Sequence, residues 1–112
     1  MTQTEIYIGL NDEKTKEQKF DTALYVSILK TVCANYQVPF SFHLLQGGYI
    51  HDNGEYTQEN TLKLTLLGVD PAVVEEIATD LCVFFHQESV LITTGEVETF
   101  SIKANVELPK DD

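Results

Sequence analysis

The side chains of this sequence that can move a proton or hold a ligand gather in two short stretches. His51, Glu55 and Glu59 fall close together in the middle of the chain, and His86, Gln87 and Glu88 follow one another later. A histidine beside a carboxylate can work as a general acid or base near neutral pH, because imidazole titrates there. His51, Glu59 and Glu88 are therefore the candidate catalytic residues. Tyr7, His43, Tyr49, His86 and Gln87 are the candidate binding residues, since aromatic rings and amides provide contact area with a polar handle. The competing reading makes these residues solvated ends of secondary structure. On that reading His86 sits near a helix C-terminus, where the helix dipole favours a cation.

Other chemistries find little to work with. The three histidines, at 43, 51 and 86, show no HxxxH spacing, and Cys33 and Cys82 belong to no CxxC pair. Neither pattern builds a zinc site. Asp52, Glu55 and Glu59 lack the regular ligand alternation of a calcium loop. No metal or cofactor is expected. There is no GxSxG, and Gly47-Gly48 is followed by more extended chain, whereas a phosphate-cradling loop runs into a helix. Both cysteines fall within apolar helical patterns, where a free thiol packs as a small hydrophobe.

Charge narrows the partners. Eighteen acids face seven bases, giving −11, and all seven bases are lysine. Arginine supplies the planar fork that reads phosphate and guanine, and it is missing here. Repulsion and the lack of arginine together argue against nucleic acid and against an anionic membrane as partners. From Leu64 to Ile102 the chain carries seven acids and no base. Such a surface keeps a protein soluble; it also suits a partner with a basic face, or an inhibitor that imitates nucleic-acid charge.

Elements must position these residues, and the hydropathy pattern supplies them. Ile6, Ile8 and Leu10 alternate, which predicts a strand. A polar stretch from Asn11 to Lys19 reads as an exposed loop. Phe20, Leu24, Ile28 and Val32 then recur every four residues, predicting a helix over about 18–36 that ends before Pro39. Phe40, Phe42 and Leu44 start a second strand that continues toward Ile50, with Gly47-Gly48 marking a bulge or a close backbone approach. Asn53-Gly54 predicts a type I′ hairpin turn into a third strand carrying Leu62, Leu64 and Leu66. Asp70-Pro71 opens a second helix with Val74, Ile77, Ala78, Leu81, Cys82 and Phe85 inward, ending near His86. A strand over 89–94 follows, with Gly95-Glu96 predicted to turn or bulge it. Phe100, Ile102, Ala104 and Val106 continue the extended pattern as a possible extra strand, and the tail frays from about 107.

The order β-α-β-β-α-β predicts an α+β fold, the ferredoxin-like plait, with two helices on one face of an antiparallel sheet. At 112 residues it forms one domain, able to bury roughly two-thirds of its surface without disulfides or metal. There is no window of eighteen apolar residues to span a membrane, and the opening Met1-Thr2-Gln3-Thr4-Glu5 does not read as a secretion signal, so a cytoplasmic location is expected.

Several short motifs carry a resemblance. Tyr7-Ile8-Gly9-Leu10, Gly47-Gly48-Tyr49 with His51, Glu59-Asn60, and Gln87-Glu88-Ser89-Val90-Leu91 resemble a small bacterial family of uncharacterised α/β-plait proteins. That resemblance implies the fold and brings no catalytic residues. The plait is also that of the trimeric nitrogen-regulatory and divalent-cation-tolerance proteins, whose ligand-loop signatures are missing here.

In such a plait Tyr7, Ser41, His43 and Leu45 face away from the helices, onto a sheet face that a second copy would cover. The expected function is thus a small acidic oligomeric binding or regulatory module, a homo-oligomer with an unidentified small-molecule or protein ligand. The alternative is a small enzyme or ligand sensor with a His/Glu site at a subunit boundary. A third reading is the acidic inhibitor of a mobile element.

Overall fold

A computed structural model describes residues 1–50 and 53–104. His51, Asp52 and the tail from about 107 lie outside the described residues, as does the side chain of Tyr49. The elements run β1 (Thr2–Gly9), α1 (Thr22–Tyr36), β2 (Ser41–Ile50), β3 (Tyr56–Leu67), α2 (Pro71–Phe84) and β4 (Leu91–Glu96). The strands form one antiparallel sheet in the order β2-β3-β1-β4, which is the ferredoxin-like plait.

Alternation decides the layers. Ile6 and Ile8 on β1, Leu10 just past its end, and Leu62, Leu64 and Leu66 on β3 are fully buried beneath the helices, and the residues between them turn to the other face. Tyr25, Leu29, Val32 and Cys33 of α1 meet Val74, Ile77, Ala78 and Leu81 of α2 over this strip. The Tyr36 hydroxyl donates to Asp80 at 2.8 Å and ties the two helices together. Among the described residues no helix is long and apolar enough to cross a membrane.

Helix α2 begins as its sequence dictates: the Asp70 carboxylate accepts from the Ala72 N–H at 2.8 Å, and Pro71 takes the first turn. Helix α1 starts at Thr22, four residues later than the periodicity predicts. The reason is local. Gln18 uses its amide N–H groups on the Phe20 carbonyl and the Thr22 hydroxyl, which holds the preceding chain as a loop. The helix is therefore rolled: Tyr25 packs edge-on against Phe85 at 5.1 Å between centroids, while Phe20 and Leu24 stay exposed.

Three further expectations are corrected. The Gly47-Gly48 ladder shows no bulge, since both glycines pair regularly with Glu59 and Gln58. The alternative, a close approach, holds: a Cβ on Gly48 would collide with the Tyr56 phenol, at 2.7 Å from Cζ. Strand β4 passes straight through Gly95, and among the described residues no fifth strand follows it. The hairpin turns around Asn53-Gly54 but not as a two-residue type I′ loop, because the last described pair, Ile50 with Tyr56, sets a register with an odd number of residues between the strands; Gly54 takes positive φ (+87°). Asn53 instead accepts the Glu55 N–H on its side-chain oxygen at 2.9 Å.

Gly54→Val forces a branched residue into that left-handed φ. The unfolding midpoint should fall by the equivalent of about 1–3 kcal/mol, the cost of a backbone held in a disfavoured region. Denaturant titration checks this; an unchanged midpoint would mean that the turn relaxes without strain.

Candidate functional site

One end of the sheet collects the polar side chains. β1 finishes there, β2 passes into β3 there, and α2 ends there, so the hairpin, the β1–α1 loop and the segment after α2 become neighbours. Between hairpin and loop lies a cleft of about 420 Å³ lined by Asn11, Gln18, Gln46, Gly47, Gly48, Tyr56, Gln58, Glu59 and Asn60. Its chemistry is dominated by side-chain amides and one carboxylate. Gln18 and Asn60 join across it, the Asn60 amide donating to Gln18 at 3.0 Å.

Glu59 is held from two sides. Its carboxylate folds over Gly9, where an added Cβ would stand 2.6 Å from Oε1 and 2.7 Å from Oε2. The Asn11 backbone N–H donates to Oε2 at 3.2 Å. Glycine is thus required at position 9 for the carboxylate to lie on the strand. No lysine or histidine forms an ion pair with Glu59 among the described residues.

The loop that carries Asn11 is itself anchored. Asp12 is buried, with its side chain 5% exposed, and its Oδ1 accepts the Lys14 and Thr15 N–H groups at 2.8 and 3.1 Å. Lys19 Nζ sits 3.2 Å and His86 Nδ1 3.8 Å from Oδ2. The Thr15 and Lys14 N–H groups, followed by Lys19, hold the Asp12 carboxyl below its ordinary value of 3.8. From just beyond α2, Gln87 reaches across and donates its amide to the Asn11 carbonyl at 2.6 Å.

Glu59 of one predicted stretch and Gln87 of the other therefore come together within one chain. They are joined through Asn11, whose N–H serves one and whose carbonyl serves the other. His86 meets this loop twice, through its exposed ring at Asp12 and through its backbone carbonyl, which accepts the Glu13 N–H at 3.2 Å; its backbone takes positive φ (+54°) at the helix end. Glu88 is exposed on the chain leading to β4.

The remaining candidates lie elsewhere. Tyr7 and His43 stand on the helix-free sheet face, in one row across the strands with Lys63 between them. The Tyr7 hydroxyl donates to Glu5 at 2.8 Å, and Lys63 lies 4.0 Å from the same carboxylate. That hydrogen bond to Glu5, then burial, pushes the Tyr7 phenol up. Tyr49 pairs with Thr57 in the ladder. Both cysteines are free, and burial pushes the Cys33 thiol up to about 11, which leaves it protonated and inert as a nucleophile.

Sequence reasoning missed the amides. Their signal is one of register: Gln46, Gln58 and Asn60 occupy the positions that Leu44, Leu62 and Leu64 fill one turn of the pleat further along. Amides at helix-side positions mark where the apolar core stops and a polar cleft begins.

The Asp12 anchor has a pH signature. A carboxyl group held low stabilises the fold where it is ionised, above the unfolded value near 3.8, and loses that contribution as the pH falls through its lower folded value. Asp12→Asn cannot ionise. Wild type should be the more stable at pH 6, and the two melting curves should converge as the pH falls from 4 toward 2. A gap independent of pH would show that the charge of Asp12 contributes nothing.

No protein-family model matches the chain, and no curated protein sequence does. Solved structures share the fold. A phage SAM lyase in the apo state superposes with a TM-score of 0.67 at 21% identity, covering 95% of this chain and 91% of that one. A phage SAM lyase in complex with S-methyl-5′-thioadenosine gives 0.63 at 20% identity, covering 92% and 89%.

Proposed function

We propose that the chain is a small enzyme that binds S-adenosylmethionine in the amide-lined cleft and releases S-methyl-5′-thioadenosine. The observation that carries this reading is Glu59: a carboxylate pinned at a cleft of about 420 Å³, with no cationic side chain paired to it among the described residues. An anion held in this way favours a cationic ligand, and a sulfonium is one. The volume falls in the range of small-molecule pockets. Asn11, Gln18, Gln46, Gln58 and Asn60 offer donors and acceptors for the edges of a nucleobase and for ribose hydroxyls. The likeness in fold to a phage SAM lyase over nearly the whole chain supports the same ligand class.

The reaction asks little of the protein. The carbon–sulfur bond to the amino-acid chain breaks with its electron pair on sulfur, which turns the sulfonium into a neutral thioether. The four-carbon fragment balances its charge by losing a proton or by closing on its own carboxylate. No oxidant, water or cofactor enters. Glu59 attracts and orients the cation, and the amides hold the nucleoside. Cytoplasmic location and kinship with the small bacterial family that the motifs resemble belong to this proposal.

Chromatography of the purified chain incubated with S-adenosylmethionine tests it, with S-methyl-5′-thioadenosine as the expected product. Calorimetry with both compounds supplies the binding arm. Binding without turnover would leave a ligand-responsive module instead; the lack of both would sink the reading.

A further inference from the structure

Beyond β4 the chain continues as a largely exposed arm with no helix or strand over residues 97–104. The Val97 N–H still donates to the Met1 carbonyl at 2.9 Å, and the Thr99 hydroxyl lies 4.0 Å from the Met1 sulfur. From residue 100 onward, nothing among the described residues holds it by a hydrogen bond, ion pair or ring contact. Phe100 is 86% and Ile102 87% exposed. Phe100, Ile102 and Ala104 alternate with Ser101 and Lys103, the period of a strand with one apolar face.

At the opposite edge the sheet offers the complement. β2 is ten residues long and, among the described residues, bonded on one side alone, to β3. Edge strands of single-copy proteins are blunted by charges, proline or a bulge. Ser-Phe-His-Leu-Leu-Gln-Gly-Gly-Tyr-Ile has no acid, lysine or proline, in a chain where 22% of residues are charged, and its ladder is unbroken. On its helix side Leu44 is 50% exposed. The other edge, β4, is shorter at six residues, ends in Glu96 and is soon followed by Glu98.

Electrostatics selects the same pair. At −11 per chain, copies repel except where their surfaces are neutral or positive. β2 is neutral, and residues 99–104 carry only the positive Lys103. Arm and edge stand on opposite sides of one sheet with β1 and β3 between them, so they come together most directly between copies.

We propose that residues 99–104 of one copy add as a fifth strand to the outer edge of β2 in a second copy, with Phe100 and Ile102 packed beside Leu44. Each copy gives one arm and receives one. A head-to-tail joint of this kind closes into a ring when its rotation allows. The inference goes beyond the ligand reading and stands independently of it.

Light scattering after size exclusion, at tens of micromolar, tests it. Wild type should run at a multiple of the 12.6 kDa chain mass. Phe100→Asp with Ile102→Asp should run at 12.6 kDa with unchanged circular dichroism, because both side chains are largely exposed in their own copy. Leu44→Lys, which charges the edge, should also be monomeric; Leu45→Lys replaces it if that variant does not fold. Mixing the arm variant with the edge variant leaves one intact arm and one intact edge, so a species of twice 12.6 kDa should form. A monomeric wild type, an arm variant of wild-type mass, or a mixture that stays monomeric would each overturn the proposal.

Discussion

Glu59→Gln should weaken S-adenosylmethionine binding by about a hundredfold while changing the affinity for S-methyl-5′-thioadenosine by less than about threefold. The two ligands share the nucleoside and differ in charge at sulfur. Removing one partner of a sheltered charge pair costs about 2–5 kcal/mol, and about 2.8 kcal/mol is a hundredfold in affinity. Glutamine keeps the shape and can still accept the Asn11 N–H, so the amides that hold the nucleoside should stay in place. Release of the thioether product should fall with the binding of the cation. Calorimetry on both ligands checks the asymmetry. An equal loss for both would mean that Glu59 shapes the cleft and does not read charge.

Phe85→Ala should cost about 3–5 kcal/mol of stability, the usual loss when a buried aromatic ring is truncated. Phe85 is 1% exposed at the end of α2, with Tyr25 edge-on against it. Its neighbour provides the control. Phe84 is 54% exposed, so Phe84→Ala should change stability by no more than about 0.5 kcal/mol. The large loss should reach the cleft as well. Phe85 fixes the end of α2 from which Gln87 crosses to the Asn11 carbonyl, and Asn11 holds Glu59. Paired denaturant titrations of the two variants would decide the first point. Similar losses for both would mean that α2 rolls to bury the alternative ring.

The candidate site was half legible before the fold was known. Glu59 and Gln87 stand out as residue types, and both belong to the network at the end of the sheet. Asn11 did not stand out, because its contribution is a backbone N–H and a carbonyl that every residue but proline possesses. Asp12 read as one more acid in a polar loop. Its burial depends on Lys14, Thr15 and Lys19 turning around it, which no spacing rule encodes. Glu88 matched the pattern equally well and lies exposed, since adjacent positions after a helix end point in different directions.

What the sequence determined by itself is the plait: its element order, the sheet sides of β1 and β3, the Asp70-Pro71 start of α2 and the reversal around Asn53-Gly54. Those features follow from local periodicity and turn chemistry, which act over a few residues. Only the tertiary structure decided the roll of α1, the straight ladder through Gly47-Gly48 and the meeting of hairpin, loop and helix end at Asn11. The physical reason is that each depends on a partner remote in the chain. Tyr25 turns inward because Phe85 is there, Gly48 is small because Tyr56 lies over it, and Gly9 leaves room for the carboxylate of Glu59.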